Sequence, residues 1–366
     1  MLKLGAGAVA AGLGLPVLAQ TRILRIGATV DNTGAEKASG TGVVAGSRAC
    51  FAAINKAGGI DGLKIEMQVA DDRFQPEVAK ANAQAFAADP SVLAMLHPVG
   101  TRQVAEVCAA VPDMPVIGPY TGTVSVRKKS GPNTFWVRAS FDQEIARLIS
   151  QAVSLGQTRI GLVYSNDPLG LALLAGFNSA LAKAQLEPAV VASTPSTSST
   201  EVESSASKIA QAKPQVVIVG LGGAAPAFIS ALRAAGGRSA IYGLSITAGS
   251  ISDMGESSLG LGFSIVVPSP FSTRFEIVRK YQAAMLASGQ KEFSLPSLEG
   301  YIDATVLIEG LRRLGPNPTR AKLMAALESI EDYDLGGLKV NFGRNNREGS
   351  QFVDVAVIGS GGRLLT

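Results

Sequence analysis

The stretch Thr41–Ala70, TGVVAGSRACFAAINKAGGIDGLKIEMQVA, decides the fold class. Thr41–Ala57 predicts a helix. Gly58-Gly59 ends it, because glycine enters the left-handed conformation of a helix C-cap without a side-chain clash. Leu63–Ala70 predicts a strand. Upstream, Ile23–Val30 predicts another. Downstream, Pro76 opens a helix to Ala88, since a first-turn proline forfeits no helical hydrogen bond. Val92–His97, Thr101–Ala110 and Pro115–Gly118 continue as strand, helix and strand. Strands alternating with helices argue for a parallel sheet covered by helices on both faces.

A second series of the same kind follows. Asp142 is placed to cap a helix whose Ile145, Leu148, Ile149 and Ala152 recur at helical spacing. Ile160–Tyr164 reads as a strand, Pro168–Ala184 as a helix and Ser193–Thr200 as a Ser/Thr-rich loop. Thr200 with Glu203 makes a capping box for the next helix. Val216–Gly220 is a buried strand, Ala224–Ala235 a helix, and Ala240–Gly243 and Gly262–Val267 strands. Three helices come next, near Ser272–Ala287, Ser297–Leu314 and Thr319–Ser329, before strands near Leu338–Phe342 and Phe352–Ile358. The expectation is an α/β protein of two doubly wound parallel-sheet lobes. They join near Phe135–Arg138, and the chain returns to the first lobe after Val267.

Composition agrees with two lobes. The chain has 366 residues, 46% hydrophobic and only 17% charged, more than one core usually holds. The net charge of +4 is small, and the longest basic run, Arg127-Lys128-Lys129, reads as a solvated turn, so no nucleic-acid partner is expected. Lys3, the apolar run Leu4–Leu18 and the small-residue end Val17-Leu18-Ala19 predict an export signal over residues 1–19, with Gln20 starting the mature chain. The run is shorter than the ~20 residues a spanning helix needs. Cys50 and Cys108 sit on predicted helices among small apolar residues, which suits buried free thiols better than a disulfide.

Several runs together resemble a known family. They are Gly34, Gly40 and Gly46; Ile54-Asn55-Lys56-Ala57-Gly58-Gly59-Ile60-Asp61-Gly62; Asp71-Asp72; Asp89-Pro90-Ser91-Val92; Gly300-Tyr301-Ile302-Asp303-Ala304; and Gly336-Gly337-Leu338-Lys339-Val340-Asn341-Phe342. The chain is similar in these to the type I periplasmic binding proteins of the Leu/Ile/Val-binding group, over nearly the whole mature sequence. The resemblance implies a three-segment hinge and a ligand cleft between the lobes, with crossovers near Phe135–Arg138, Val266–Pro268 and Phe342–Ser350. Lobe 1 would be residues 20–137 with 268–344, and lobe 2 residues 138–267 with 345–366. It also implies a periplasmic receptor, acting as a monomer, that delivers a small solute to the membrane permease of an ABC importer. The alternative is a ligand sensor of the same fold.

In an open α/β sheet, ligands lie at the carboxyl ends of strands beside helix N-termini, where unpaired N–H groups favour anions. Gly100-Thr101 follows the strand ending at His97, and Tyr120, Thr121 and Thr123 follow the next. The resemblance implies that hydroxyls of these two loops hold a ligand carboxylate. Asn166 and Asp167 are second-lobe candidates for polar contacts, with a turn before Pro168 as the other reading. His97, the single histidine, is placed at a strand end facing the cleft, with a structural role as the competing reading. Trp136 is expected to pack at the hinge, and Tyr301 lies near the cleft rim. Aligned on the family, Ser39, Leu169 and Leu221 stand where tyrosines are common, and Ser245 stands where relatives place an acid that pairs an α-ammonium. A neutral serine does not balance a desolvated cation, so a carboxylate lacking an ammonium fits better.

Enzymatic readings find little material. One histidine gives no triad and no histidine-rich metal site. No Gly-x-Ser-x-Gly elbow or Walker loop is present. The run Gly220-Leu221-Gly222-Gly223 fails the dinucleotide spacing, because Ala225 stands where the third glycine belongs. Asp71-Asp72 is expected to shape a turn. No cofactor and no metal are expected.

Overall fold

Strand β1 (Ile23–Val30) is buried at nearly every position, where alternate residues would face solvent in a half-exposed strand. Both of its faces are covered, as the strand–helix alternation requires. The computed structural model describes residues 23–250, 254, 257–315, 317–360 and 364–366. The expected export signal, residues 1–19, lies outside the described residues.

The first unit continues through α1 (Lys37–Lys56), β2 (Lys64–Asp71), α2 (Pro76–Ala88), β3 (Val92–Leu96), α3 (Thr101–Ala110), β4 (Val116–Ile117), α4 (Val124–Lys129) and β5 (Thr134–Phe135). Its sheet has the order β2-β1-β3-β4-β5 and is parallel throughout. The second unit runs through α5 (Phe141–Ser154), β6 (Ile160–Ser165), α6 (Pro168–Lys183), β7 (Val190–Thr194), α7 (Glu203–Ala212), β8 (Val216–Gly220), α8 (Ala225–Ala234), β9 (Ala240–Gly243) and β10 (Gly262–Ile265). These strands take the order β7-β6-β8-β9-β10, again parallel, which repeats the winding of the first sheet.

Helices α9 (Glu276–Ala287), α10 (Leu295–Arg312) and α11 (Arg320–Glu328) follow β10. Residues of α9, α10 and α11 share one apolar core with β1 and α1, so the chain has returned to the first unit. The hairpin β11 (Tyr333–Asp334) and β12 (Lys339–Val340) comes next. The chain crosses once more, and β13 (Asp354–Ile358) and β14 (Leu364–Leu365) add antiparallel strands beside β10. The protein is thus α/β, with two lobes of mainly parallel sheet. Two of the connecting segments run side by side: Trp136 N–H donates to Arg347 O, and Gly349 N–H to Trp136 O. Trp136 is buried there, with the Arg127 guanidinium 5.0 Å from its ring centre.

Several local expectations need correction. The N-cap of α5 is Ser140, whose Oγ accepts from Gln143 N–H while Gln143 Oε1 accepts from Ser140 N–H; Asp142 sits in the first turn. Thr200 lies too early to cap α7, which starts after Val202, and Glu203 Oε2 takes the Val202 N–H itself. Ser193 and Thr194 belong to β7, paired to β6, so the loop is shorter than expected. Arg127-Lys128-Lys129 ends helix α4, and Arg127 turns inward to Glu348 and to the carbonyls of Arg138 and Ala139. Gly58 and Gly59 do take positive φ, at 105° and 81°, at the end of α1. Both cysteines are free and buried. Among the described residues no helix is long and apolar enough to cross a membrane.

Candidate functional site

The parallel winding points the carboxyl ends of both sheets toward one space between the lobes, a cavity of about 240 Å³. That is room for a small organic solute rather than a single water. Its walls are loops and helix starts that follow strands. Glu36 and Ser39 come after β1, Phe74 after β2, Gly100 and Thr101 after β3, and Tyr120 and Thr121 after β4. From the other lobe, Asp167 and Leu169 come after β6, Thr197 after β7, Gly222 after β8 and Ile246 after β9. Both lobes therefore build the site from the strand ends where doubly wound sheets place ligands.

The polar pole on the first lobe is a triangle of hydroxyls. Thr101 Oγ1 lies 2.9 Å from Thr121 Oγ1 and 3.0 Å from Thr123 Oγ1, and the last two are 3.1 Å apart. Each hydroxyl has one proton. If each donates around the ring, no proton is left for a guest, and an anion is accommodated by turning a hydroxyl outward. Thr101 also opens α3, whose first-turn N–H groups lack helical partners and favour negative charge. Gly100 before it takes φ 98°, a conformation that disfavours any side chain.

Glu36, which precedes α1, closes the cavity from the same lobe. Its Oε1 accepts from Gly223 N–H across the cleft at 3.3 Å. Burial pushes its carboxyl up to about 7, and Asp31 adds to the rise while the Gly223 N–H opposes it. Asp167 lines the opposite wall and caps α6: its Oδ1 accepts from Gly170 N–H at 3.0 Å and from Ser165 Oγ at 2.9 Å. A basic lining residue, Arg102, is exposed at the rim.

The structure brings Ser39, Gly100, Thr101, Tyr120, Thr121 and Leu169 to the cavity wall. Thr123 stands one layer behind, buried in the hydroxyl triangle. Asn166 is exposed away from the wall, with its N–H donating to Thr194 O. Leu221 is fully buried in the second-lobe core, because the residue after β8 continues the strand's inward register. His97 turns away from the cleft: Nε2 lies 2.8 Å from Ser47 Oγ and Nδ1 3.1 Å from Asp303 Oδ2, all buried. Burial lowers the imidazole to about 3 and raises the Asp303 carboxyl, and both shifts favour the uncharged form. Tyr301 is also buried, its ring edge-on to Tyr281.

Ser245 is the most consequential displacement. It lies beneath the cavity in a buried polar cluster. Its N–H and Oγ donate to Glu144 at 2.8 and 2.9 Å, and its Oγ accepts from the Arg138 guanidinium. Arg138 ion-pairs Glu144 of α5 at 3.3 Å and Glu299 of α10 at 3.4 Å, and so ties the two lobes. Its guanidinium lies 4.9 Å from the centre of the Tyr120 ring. The sequence position at which an acid would meet an ammonium therefore does not line the cavity here. Glu36, Phe74, Thr197, Gly222 and Ile246 were not among the site residues read from sequence, whereas Asp167 was and does line the cavity. Their shared signal is position: each lies a few residues past a strand's carboxyl end.

The pair Asp71-Asp72 shapes a turn as expected. Asp71 accepts from Asn32 and Arg73 N–H and from Thr33 Oγ1, and Asp72 from Phe74 N–H and Thr29 Oγ1. Among the described residues no group of three His, Cys, Asp or Glu could hold a metal.

Known proteins match this architecture. The family described as periplasmic binding protein matches residues 23–363. The crystal structure of a substrate-binding periplasmic protein from Ralstonia solanacearum is similar at 30% identity and TM-score 0.85, covering 93% of this chain and 99% of its own. A branched-chain amino acid ABC transporter protein from Thermus thermophilus with bound valine shares the fold at 15% identity and TM-score 0.83, covering 94% of this chain and 95% of its own. An ABC transporter solute binding protein from R. palustris in complex with benzoate does so at 17% identity and TM-score 0.82, with coverages of 94% and 95%. No curated protein sequence matches. With two like-wound lobes facing one cavity and a family match over almost its whole described length, the chain belongs to the periplasmic binding protein family and has the type I architecture.

Proposed function

We propose that this protein is the extracytoplasmic receptor of an ABC importer and that it captures a small carboxylate-bearing solute by hinge closure, without catalysing a reaction. The observation that carries the reading is the cavity itself: a space of about 240 Å³ lined from both lobes by strand-end loops, with hydroxyls and helix-start amides on one wall. The solute carboxylate sits at Thr101 and Thr121, and Phe74, Leu169 and Ile246 cover its apolar body. The hinge comprises the segments around Phe135–Arg138, Val266–Pro268 and Phe342–Ser350. Lobe 1 is residues 20–137 with 268–344, and lobe 2 residues 138–267 with 345–366. Residues 1–19 direct export to the periplasm, and the closed monomer presents both lobe faces to the permease. A micromolar site needs ~8 kcal/mol, which a few charge-assisted hydrogen bonds and apolar burial supply.

The test is a thermal-shift screen of the mature chain against aliphatic amino acids, aromatic carboxylates, short-chain acids and amides, followed by calorimetry on any hit. A bound solute raises the melting temperature by mass action. Thr101→Ala with Thr121→Ala removes two hydrogen bonds to a charged group, at ~1.5–3 kcal/mol each, and weakens the hit at least 100-fold. A panel without a hit, or unchanged affinity in the double variant, overturns the reading.

A further inference from the structure

Glu36 is held at the cleft by scaffolding of its own. The N–H groups of Thr33, Gly34 and Glu36 all donate to the buried Asp31 carboxylate, which fixes the turn that carries Glu36 to the cavity wall. Gly223 of the other lobe then donates to its Oε1. A solute carboxylate at Thr101 and Thr121 shares a cavity of about 240 Å³ with this carboxyl and with Asp167. Carboxyl groups that share a desolvated space do not ionise together without cost. Arg102, exposed at the rim, is too well hydrated to relieve that cost.

We propose that Glu36 is the specificity-determining residue of the cleft: it selects solutes that carry a hydrogen-bond donor (ammonium, hydroxyl or amide N–H) besides their carboxylate, and rejects the same skeleton without one. The inference rests on the cleft being the solute site, as proposed above. A site built to pair a substrate donor discriminates strongly against the analogue that lacks it, because its own buried polar group is then left unpaired. The displacement of Ser245 from the cavity strengthens the case. The second lobe offers no acid at that position, and its lining acid Asp167 already accepts from Ser165 Oγ and Gly170 N–H as the cap of α6, so the donor is met by Glu36 of the first lobe, ahead of α1. Burial raises the Glu36 carboxyl, and a donor from the solute is the interaction that reverses the rise.

Calorimetry on the mature chain tests this with matched sets: L-phenylalanine, 3-phenyllactate and 3-phenylpropanoate; L-leucine, 2-hydroxy-4-methylpentanoate and 4-methylpentanoate; 4-aminobenzoate, 4-hydroxybenzoate and benzoate. In the set that binds, the wild type prefers a donor-bearing member at least tenfold. Glu36→Ala reduces that preference below threefold by weakening the donor-bearing members alone. Glu36→Gln, which keeps the shape and guards against misfolding of the alanine variant, cuts an ammonium preference at least fivefold. A merely structural role would weaken all members of a set equally and leave the ratio unchanged. A donor-free acid that binds the wild type as well as its partners, or a preference that survives Glu36→Ala, overturns the assignment and leaves the receptor reading intact. If no set binds at all, the receptor reading fails and takes this inference with it.

Discussion

Arg138→Met tests whether the buried charge cluster beneath the cleft is held together by its one cation. The Arg138 side chain is 1% exposed, and its partners Glu144 and Glu299 are 0% and 4% exposed. Methionine keeps most of the aliphatic volume but leaves both carboxyl groups in a site built around a guanidinium. Removing one member of a buried ion pair costs about 3–5 kcal/mol, chiefly because the remaining charge is uncompensated. At about 2 °C per kcal/mol, the lower end for chains of this size, the melting temperature falls by roughly 6–10 °C at pH 9. The loss depends on pH. Burial already pushes the Glu299 carboxyl up to about 8, while Arg138 opposes the rise. A carboxyl whose folded pKa lies above its unfolded value holds a proton that unfolding releases, so its contribution to stability falls as pH rises between the two values. Without Arg138 the folded value climbs further and the fall extends to higher pH. Below about 8 both proteins lose stability with the same slope, so the deficit of the variant grows as pH rises past that value, from pH 7 to pH 9, as read by circular dichroism melts of the unliganded chain. A deficit under 2 °C at pH 9, or one equal at both pH values, refutes the idea that charge rather than packing holds the cluster.

Two further outcomes follow from the geometry. His97 is the only histidine, so its imidazole proton resonances are free of overlap from other histidines; they stay flat from pH 5 to pH 8 in the folded protein, and a midpoint near 6.5 contradicts its placement as a buried neutral partner of Asp303. In Gly222→Val, a carbon added at Gly222 lies 2.5 Å from Glu36 Oε1 and 3.1 Å from Thr197 Oγ1, so the flexible Glu36 carboxyl is pushed off the Gly222-Gly223 turn; crowding of the cavity wall at ~1–3 kcal/mol weakens affinity for the proposed solute roughly tenfold, whereas unchanged affinity shows that the Gly222 turn does not meet Glu36 in solution.

The lobes were legible because most of the longer helices and strands carry their own signal, while short ones such as α4 and β5 do not. Thr101–Ala110, Val216–Gly220 and Ala240–Gly243 agree with the sequence reading residue for residue, since each is bounded by a local breaker or a change of period. Caps were less legible. Asp142 and Ser140 are both good N-cap residues two positions apart, and only the backbone geometry decides that Ser140 accepts from Gln143 N–H. The site was half legible. Loops at strand ends could be found from the alternation alone, which is why Gly100, Thr101, Tyr120 and Thr121 reach the wall. Side-chain direction within those loops is set by tertiary contacts. Ser245 and Leu221 both follow second-lobe strands, yet one is claimed by Glu144 and Arg138 and the other by the apolar core. Nothing local in sequence announces that Arg138, 107 residues from Ser245 in the chain, donates to its Oγ.

The contacts divide into those that make the hinge and those that make the closed state. Trp136 paired to the 347–349 segment, and Arg127 bonded to the carbonyls of Arg138 and Ala139, lie where the connecting segments cross between the lobes. The Glu36–Gly223 contact exists only when the lobes meet. One such hydrogen bond is worth ~1 kcal/mol net, about a fivefold bias, against the ~8 kcal/mol of a micromolar solute. A latch of that size leaves an empty receptor free to open, while a solute touching both walls holds it shut, because a ligand shifts such an equilibrium only by its preference for the closed form. In the proposed receptor, closure would then report occupancy to a permease that reads both lobe faces. A much stronger latch at Glu36 and Gly223 would, in that proposed receptor, close the empty protein and erase the signal.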